Sequence, residues 1–220
     1  MDIGTMLGDS FEYTKDALVD KWMRWLILLV GTIIFPIILG YTLRVYRGEP
    51  YPPDPEDWVA VFINGIKLFI VELIWALPVI IVGLLFFGGA LAMMASGSDA
   101  AAAVGIGTML IGIPFLLIVT LVVALFAAMG AVRFARTDSF GEAFNISAIL
   151  AHIGRIGWGP YIVALIVLYL ALFVFFIAMA ILGVLTFGLG FLLFFALAPA
   201  FSIFVARYVT RIYDSAPAPA

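Results

Sequence analysis

The sequence predicts an all-α fold: a polytopic transmembrane helix bundle with amphipathic interfacial helices and an N-terminal re-entrant hairpin. Three observations carry that expectation. Of 220 residues, 65% are hydrophobic and only 11% charged, against about 25% charged in an ordinary soluble domain. So few charges cannot cover a water-exposed surface, and lipid has to take the place of water. Gly105 to Arg136 runs without a charge before Arg133. Its stretch from Ile106 to Val132, at about 1.5 Å per helical residue, extends ~40 Å, more than the ~30 Å hydrocarbon core, and reads as a tilted transmembrane helix. Finally, acid-capped polar starts alternate along the chain with apolar out-and-back segments that end on paired arginines.

Residues 1–214 read as one membrane domain in three parts, followed by a disordered tail over 215–220 that is too poor in apolar bulk to order itself. In the first part, 1–47, Asp9-Ser-Phe-Glu12 has capping-box spacing and predicts a short helix on the membrane surface. No basic, apolar leader of the secretory type precedes it, so the first apolar segment should direct insertion. Trp25 to Tyr46 is apolar but interrupted by Pro36, with Gly31 and Gly40 on either side. It is either one kinked span or two half-helices that dip in and return, which is allowed only where protein buries the turn.

The second part, 54–136, follows the linker Gly48-Glu-Pro-Tyr-Pro-Pro-Asp-Pro. Asp54-Pro-Glu-Asp57 is a helix start, with Asp as N-cap, Pro at the first helical position and acids in the first turn. A surface helix should pass there into a transmembrane hairpin, kinked at Pro78 and turning around Ser96-Gly-Ser-Asp99. The third part, 138–213, repeats the plan. Ser139 and Glu142 have capping-box spacing, and Glu142, Asn145, His152 and Arg155 fall on one side of a helix, opposite Ile146, Leu150 and Ile153. A hairpin of Tyr161–Leu182 and Phe191–Ala206 then turns around Gly183, Gly188 and Gly190. The three arginine exits are Arg44/Arg47, Arg133/Arg136 and Arg207/Arg211.

Positive charge sets the expected orientation. The hairpin turns at 95–104 and 183–190 contain no Lys or Arg. If Trp25–Tyr46 crossed the bilayer, Lys15, Lys21 and Arg24 would be stranded outside. A re-entrant segment keeps all eleven positive residues on one side. The expectation is therefore a multi-pass protein of the cell membrane with both termini cytoplasmic.

A family resemblance appears along this same path. Gly40-Tyr-Thr-Leu-Arg44, the Pro-rich linker, Asp57-Trp58, Phe62-Ile-Asn-Gly-Ile-Lys67 and Ala76-Leu-Pro78 follow one another in order. Phe140-Gly-Glu-Ala-Phe-Asn145 and Ile156-Gly-Trp158-Gly-Pro-Tyr161 continue the series. The chain resembles, over roughly residues 8 to 213, the archaeal membrane-protein family catalogued as domain of unknown function four thousand and thirteen, common in methanogens. Where that family often carries Asp, this chain has Asn64. The resemblance implies an archaeal membrane bundle and brings no assigned activity.

Few residues could carry chemistry. Glu72 lies five residues, ~7 Å of helix, beyond Lys67, and an intramembrane carboxylate marks a pathway or proton site unless it merely fixes packing. Lys67 and Asn64 complete that candidate polar site. Arg44, Arg47, Arg133, Arg136, Arg207 and Arg211 could hold lipid headgroups or another anion, or could simply set topology. His152, the only histidine, reads as a polar-face residue. With one His and no Cys, no metal ligand set, disulfide or thiol nucleophile is available, and no cofactor is expected. Ala127, Ala131 and Ala135 form a strip of small residues, and Gly105 and Gly112 lie one heptad apart; both suit close helix approach. The net charge of −3 argues against nucleic acid.

The function expected from these residues is that of a non-catalytic membrane-organising or assembly subunit that binds lipid at its cytoplasmic face. Its partners would be membrane lipids and either further copies of itself or a larger membrane complex. The alternative is a small-solute or ion transporter or channel using Glu72 and the broken segment around Pro36.

Overall fold

The computed structural model describes residues 2–54 and 57–217. Among them the chain is helical, with no strand. Pro55 and Glu56, the middle of the expected Asp54–Asp57 helix start, lie outside the described residues, as do the last three residues of the expected tail. Four helices are long and apolar enough to cross a membrane: Trp58–Met94, Asp99–Thr137, Trp158–Leu185 and Gly190–Asp214. This agrees with the polytopic helical bundle expected from composition.

The first helix, α1, runs Ile3–Leu18. It starts seven residues earlier than the Asp9 spacing implies, because Asp2 is the N-cap: its carboxylate accepts from the Gly4 and Thr5 amides. Asp9 sits inside the helix instead, where its carboxylate is taken up by arginines of another helix. Met6, Ser10, Tyr13 and Ala17 are buried at helical spacing and form the face turned to the protein.

The segment interrupted by Pro36 is two helices, α2 (Trp22–Ile33) and α3 (Phe35–Tyr46), separated at Ile34. Each has 12 residues, ~18 Å of helix, and is too short to cross alone. Pro36 lies in the first turn of α3, where its missing N–H costs nothing. Gly31 admits the Ile37 side chain, which a Cβ there would meet at 2.9 Å. The outward side of α3 then lies against α4 (Trp58–Gly83). A Cβ on Gly65 would stand 1.6 Å from the Pro36 carbonyl oxygen, and one on Gly40 would stand 1.8 Å from that of Val61. Backbone meets backbone at both positions, so only glycine fits.

Beyond α4 a π-helical turn, Leu84–Gly88, leads into α5 (Gly89–Met94). After a short turn, α6 runs unbroken from Asp99 to Thr137. Its 39 residues make ~58 Å of helix, longer at both ends than the charge-free stretch alone. The expected single amphipathic helix of the third part is two pieces, α7 (Phe140–Ala143) and α8 (Ile146–Ile156). Phe144 ends the first, and Asn145 caps the second, accepting from the Ala148 amide at 3.1 Å. Ser139 makes no side-chain cap, and the Glu142 carboxylate is turned to Arg133.

The last hairpin is α9 (Trp158–Leu185) and α10 (Gly190–Asp214). Its turn places Phe187 and Gly188 at positive φ, and the Thr186 hydroxyl accepts from the Gly190 amide at 2.7 Å. Gly190 has no room for a Cβ, which would stand 2.6 Å from the Gly183 nitrogen.

The chain divides into two compact units, one of Met1–Ile70 with Ala128–Ala220 and one of Val71–Ala127. The first is centred on fully buried Tyr41, Phe134, Tyr161, Tyr208, Ile149 and Ile203. Within it α10 packs against α1, α2, α3, α8 and α9, and so forms the hub. The second unit is held by Trp75 stacked on Phe126 at 6.3 Å and Phe86 against Phe115 at 5.5 Å. Gly112 makes room for the Phe86 ring, and Gly105 for the Ala90 carbonyl. These two glycines do allow helices to approach closely. Ala131 and Ala135, in the first unit, are buried in the same sense.

Candidate functional site

Many of the charged side chains of the first unit gather where its helices end, and most of these are engaged with the chain itself. Arg207 follows the apolar stretch of α10 and is buried. Its Nε and Nη2 donate to the two carboxylate oxygens of Asp9 at 2.8 and 3.4 Å, and its Nη1 donates to the Glu49 carbonyl at 3.0 Å. The guanidinium also lies 4.3 Å over the Tyr13 ring. Burial pushes the Tyr13 hydroxyl up to about 12, with the Arg207 charge pulling against it, and that hydroxyl donates to the Tyr51 carbonyl. Arg211, one turn on, donates to Asp9 at 2.9 Å. One carboxylate of α1 therefore collects both arginines of the α10 exit, and the proline-rich linker is pinned to the same cluster.

The α6 exit is engaged in the same way. Arg133 pairs with Glu142, which also accepts from Asn145; those two partners hold the Glu142 carboxyl below its ordinary value. Arg136 donates to the Tyr46 carbonyl at 2.9 Å and forms a two-oxygen pair with Asp214. Gly48, at positive φ, faces that guanidinium, where a Cβ would collide with it. At the first exit, Arg44 donates to the Asp54 carbonyl at 2.8 Å, while the Asp54 carboxylate pairs with Arg24. Among the described residues Arg47 makes no ion pair, and it is exposed.

The second candidate group is dispersed. Lys67 pairs with Asp138 at 3.5 Å, and Asn64 is half-buried in the first unit. Glu72 belongs to the second unit and is exposed beside the equally exposed Leu73 and Ile74. Among the described residues Glu72 makes no ion pair.

His152 departs from its expected surface position. It is buried together with Ile149 and Ile153, while Ile146 and Leu150 on α8 are exposed. The helix thus presents apolar residues outward and turns its histidine in. Nε2 of His152 lies 2.9 Å from the Tyr213 carbonyl and Nδ1 lies 2.9 Å from Arg155 Nη2. Only the neutral ring protonated at Nε2 satisfies both, since the carbonyl can only accept and the guanidinium can only donate. The ring also stacks on that of Tyr213 at 3.9 Å. Burial drives the His152 pKa below its ordinary value; the Tyr213 bond opposes this, and Arg155 and Arg133 add to it.

Beside this rim is a cleft of ≈ 410 Å³ at the junction of α1, α2 and the linker, lined by Lys15, Asp16, Asp20, Lys21, Arg24 and Asp54 among others. The sequence pointed to the arginines but not to Asp9, Tyr13, Asp214 or Tyr213, which hold them. A signal for Asp9 was available: it lies one turn from Met6 and Tyr13, on the flank of the face that α1 buries.

A family model with the description of a protein of unknown function matches residues 25–184. No curated protein and no solved structure matches the chain.

Proposed function

The chain belongs to the DUF4013 family, and from that premise we propose that it is a non-catalytic membrane module that organises lipid, or a larger assembly, from its cytoplasmic face. The observation that carries this reading is the rim of the first unit, where Asp9, Glu142, Asp54 and Asp214 pair with arginines from three helices. Such pairing fixes helix ends rather than a reacting group. What remains available to an outside anion is Arg47, exposed and without an ion pair among the described residues, together with the cleft cations Lys15 and Lys21.

The module sits in the cell membrane of an archaeal source, with α2 and α3 as a re-entrant pair and both termini cytoplasmic. The separation at Ile34 into two short helices supports the re-entrant arrangement. Reporter fusions at Ser98 and Ser215 check the orientation; a cytoplasmic signal at Ser98 contradicts it.

A second reading, a transporter or channel, rests on Glu72, a carboxylate on an otherwise apolar helix. Against it, the break at Pro36 is closed by the backbone contact with Gly65. Proteoliposomes separate the two. The module reading expects no solute or ion flux, and unchanged behaviour in Glu72→Leu. Flux that Glu72→Leu abolishes gives the second reading precedence. In lipid nanodiscs the module should retain anionic phospholipid, with Arg47→Gln reducing retention several-fold.

A further inference from the structure

Length alone would let α9 and α10 cross a bilayer, but most of α10 lies beside charged parts of the first unit. α1 runs antiparallel to α10. Asp2 lies with Arg211 and Asp214, Asp9 pairs with Arg207 and Arg211, and Phe11 and Thr14 share a groove with Ala200, Phe201 and Phe204. The chain then reaches Trp25, whose indole donates to the Ala196 carbonyl at 2.8 Å. Lys15, Asp16, Asp20 and Lys21 therefore stand level with the stretch from Ala196 to Phe201, and all four are exposed. Neither aspartate has an ion-pair partner among the described residues. A lysine can extend its ammonium out of hydrocarbon, whereas an aspartate is too short to do so. That corner of the unit belongs in water or among headgroups, so the hydrocarbon begins no nearer than Ala196.

Beyond Ala196, α10 has six residues left, Gly190–Phe195, ~9 Å of helix. The stretch of α9 beside them is about ten residues, ~15 Å, since Phe176 packs on Phe194 at 5.5 Å and Gly183 meets Gly190. The hydrocarbon core is ~30 Å thick and a crossing helix needs about 20 residues. Any tilt of the hairpin shortens its reach further. The tip also offers nothing to water. Val184, Leu185, Leu189 and Leu192 are exposed, and Phe187 is wholly so. Thr186 is the one polar side chain between Phe176 and Phe195, and its hydroxyl is used inside the turn, donating to the Leu182 carbonyl and accepting from the Gly190 amide. The other hairpin turns instead on exposed Ser96, Ser98 and Asp99, the composition of a loop that emerges into water.

We infer that the α9–α10 hairpin does not cross the bilayer: its tip is inserted into one leaflet, with the hydrocarbon chains of that leaflet as its partner and Phe187 at its end. Its reach matches about half of the core. The inference rests on the orientation proposed above only for which leaflet this is, the cytoplasmic one. Residues 183–190 then lack Lys and Arg because they lie in lipid rather than outside the cell.

The chain contains no cysteine, so single cysteines can report on the full-length protein in the membranes of expressing cells. Phe187 is wholly exposed and can be replaced without loss of internal packing. Phe187→Cys and Ser98→Cys are treated with a charged, membrane-impermeant maleimide in intact cells and in inverted vesicles. Ser98→Cys should be labelled in intact cells, and Phe187→Cys from neither side until detergent is added. A nitroxide attached to the Phe187→Cys variant should collide freely with oxygen and little with a polar nickel chelate. Labelling of Phe187→Cys from either side overturns the inference. So does a nitroxide shielded from oxygen and nickel alike, which would mean that protein rather than lipid covers the tip. Labelling of Ser98→Cys from the cytoplasmic side alone overturns the proposed orientation, and protection of Phe187→Cys from both sides then still supports insertion into a single leaflet.

Discussion

Arg207 of α10 grips both carboxylate oxygens of Asp9 in α1 while its guanidinium lies over the ring of Tyr13, also in α1. Fork and ring together locate α1 along α10 in register and in rotation, since Asp9 and Tyr13 are one helical turn apart. Asp9→Ala should therefore cost about 3 kcal/mol, because it leaves a buried guanidinium with only the Glu49 carbonyl and the ring. Asp9→Asn, which keeps one acceptor, should cost less. Thermal unfolding in detergent, followed by helical circular dichroism, gives both values. Equal stability of Asp9→Ala and wild type would remove this pair from the framework.

Acid should loosen the contact of α8 with the end of α10. The groups facing His152 are Arg155 from its own helix, Tyr213 and Asp214 from α10, and Arg133 from α6. The folded protein holds the ring neutral, while in the unfolded chain it titrates near 6.5. Between the lowered folded value and that point the unfolded chain binds a proton that the folded one refuses. The associated stability is thus complete above about pH 6.5 and is lost as pH falls, by at most about 1.4 kcal/mol per pH unit. His152→Gln can still donate to the Tyr213 carbonyl and should flatten the slope. An unfolding midpoint whose pH dependence is identical in the two proteins contradicts this assignment.

Gly65→Ala should separate α3 from α4, at a cost of about 3 kcal/mol, since its Cβ meets backbone that has no rotamer to change. The comparison is Gly8→Ala. Gly8 is exposed in α1 with nothing within 4 Å of its Cβ position, so the change should raise stability by about 1 kcal/mol through helix propensity. Unfolding midpoints measured side by side must move in opposite directions.

Arg47 and Arg136 stand in the same pattern of exit arginines but should part company. Arg136→Gln breaks a two-oxygen pair with Asp214 and should lower the unfolding midpoint. Arg47→Gln should leave stability within about 0.5 kcal/mol of wild type and reduce retained anionic lipid instead. Nanodisc retention and thermal unfolding of both variants supply the comparison.

The spans were legible in the sequence because hydropathy is a local property: no distant residue alters the fact that Ile106–Val132 holds no charge. The break at Pro36 was legible for a similar reason, since proline acts on its own turn. Pairing was not. Asp9 and Glu12 have the spacing of a cap, and nothing within a few residues reveals that Asp9 serves α10 instead. Glu142 likewise had the spacing of a capping box and turned to Arg133. His152 misled because amphipathic periodicity gives two faces and not their environments. On α8 His152 turns inward beside Ile149 and Ile153, while Arg155 on the same polar side stays exposed. Gly40 and Gly65 were visible as glycines, but their close contact is across helices and has no signature in either one alone.

The partners in the Asp9–Arg207 clasp are 198 residues apart in the chain. While the ribosome is still making the second and third parts, α1 already exists and carries a carboxylate whose arginines have not yet been translated. Its buried face stays uncovered until α10 arrives. Termination upstream of Arg207 would leave that face permanently unclaimed, and a quality-control protease could recognise the incomplete product by its exposed first helix.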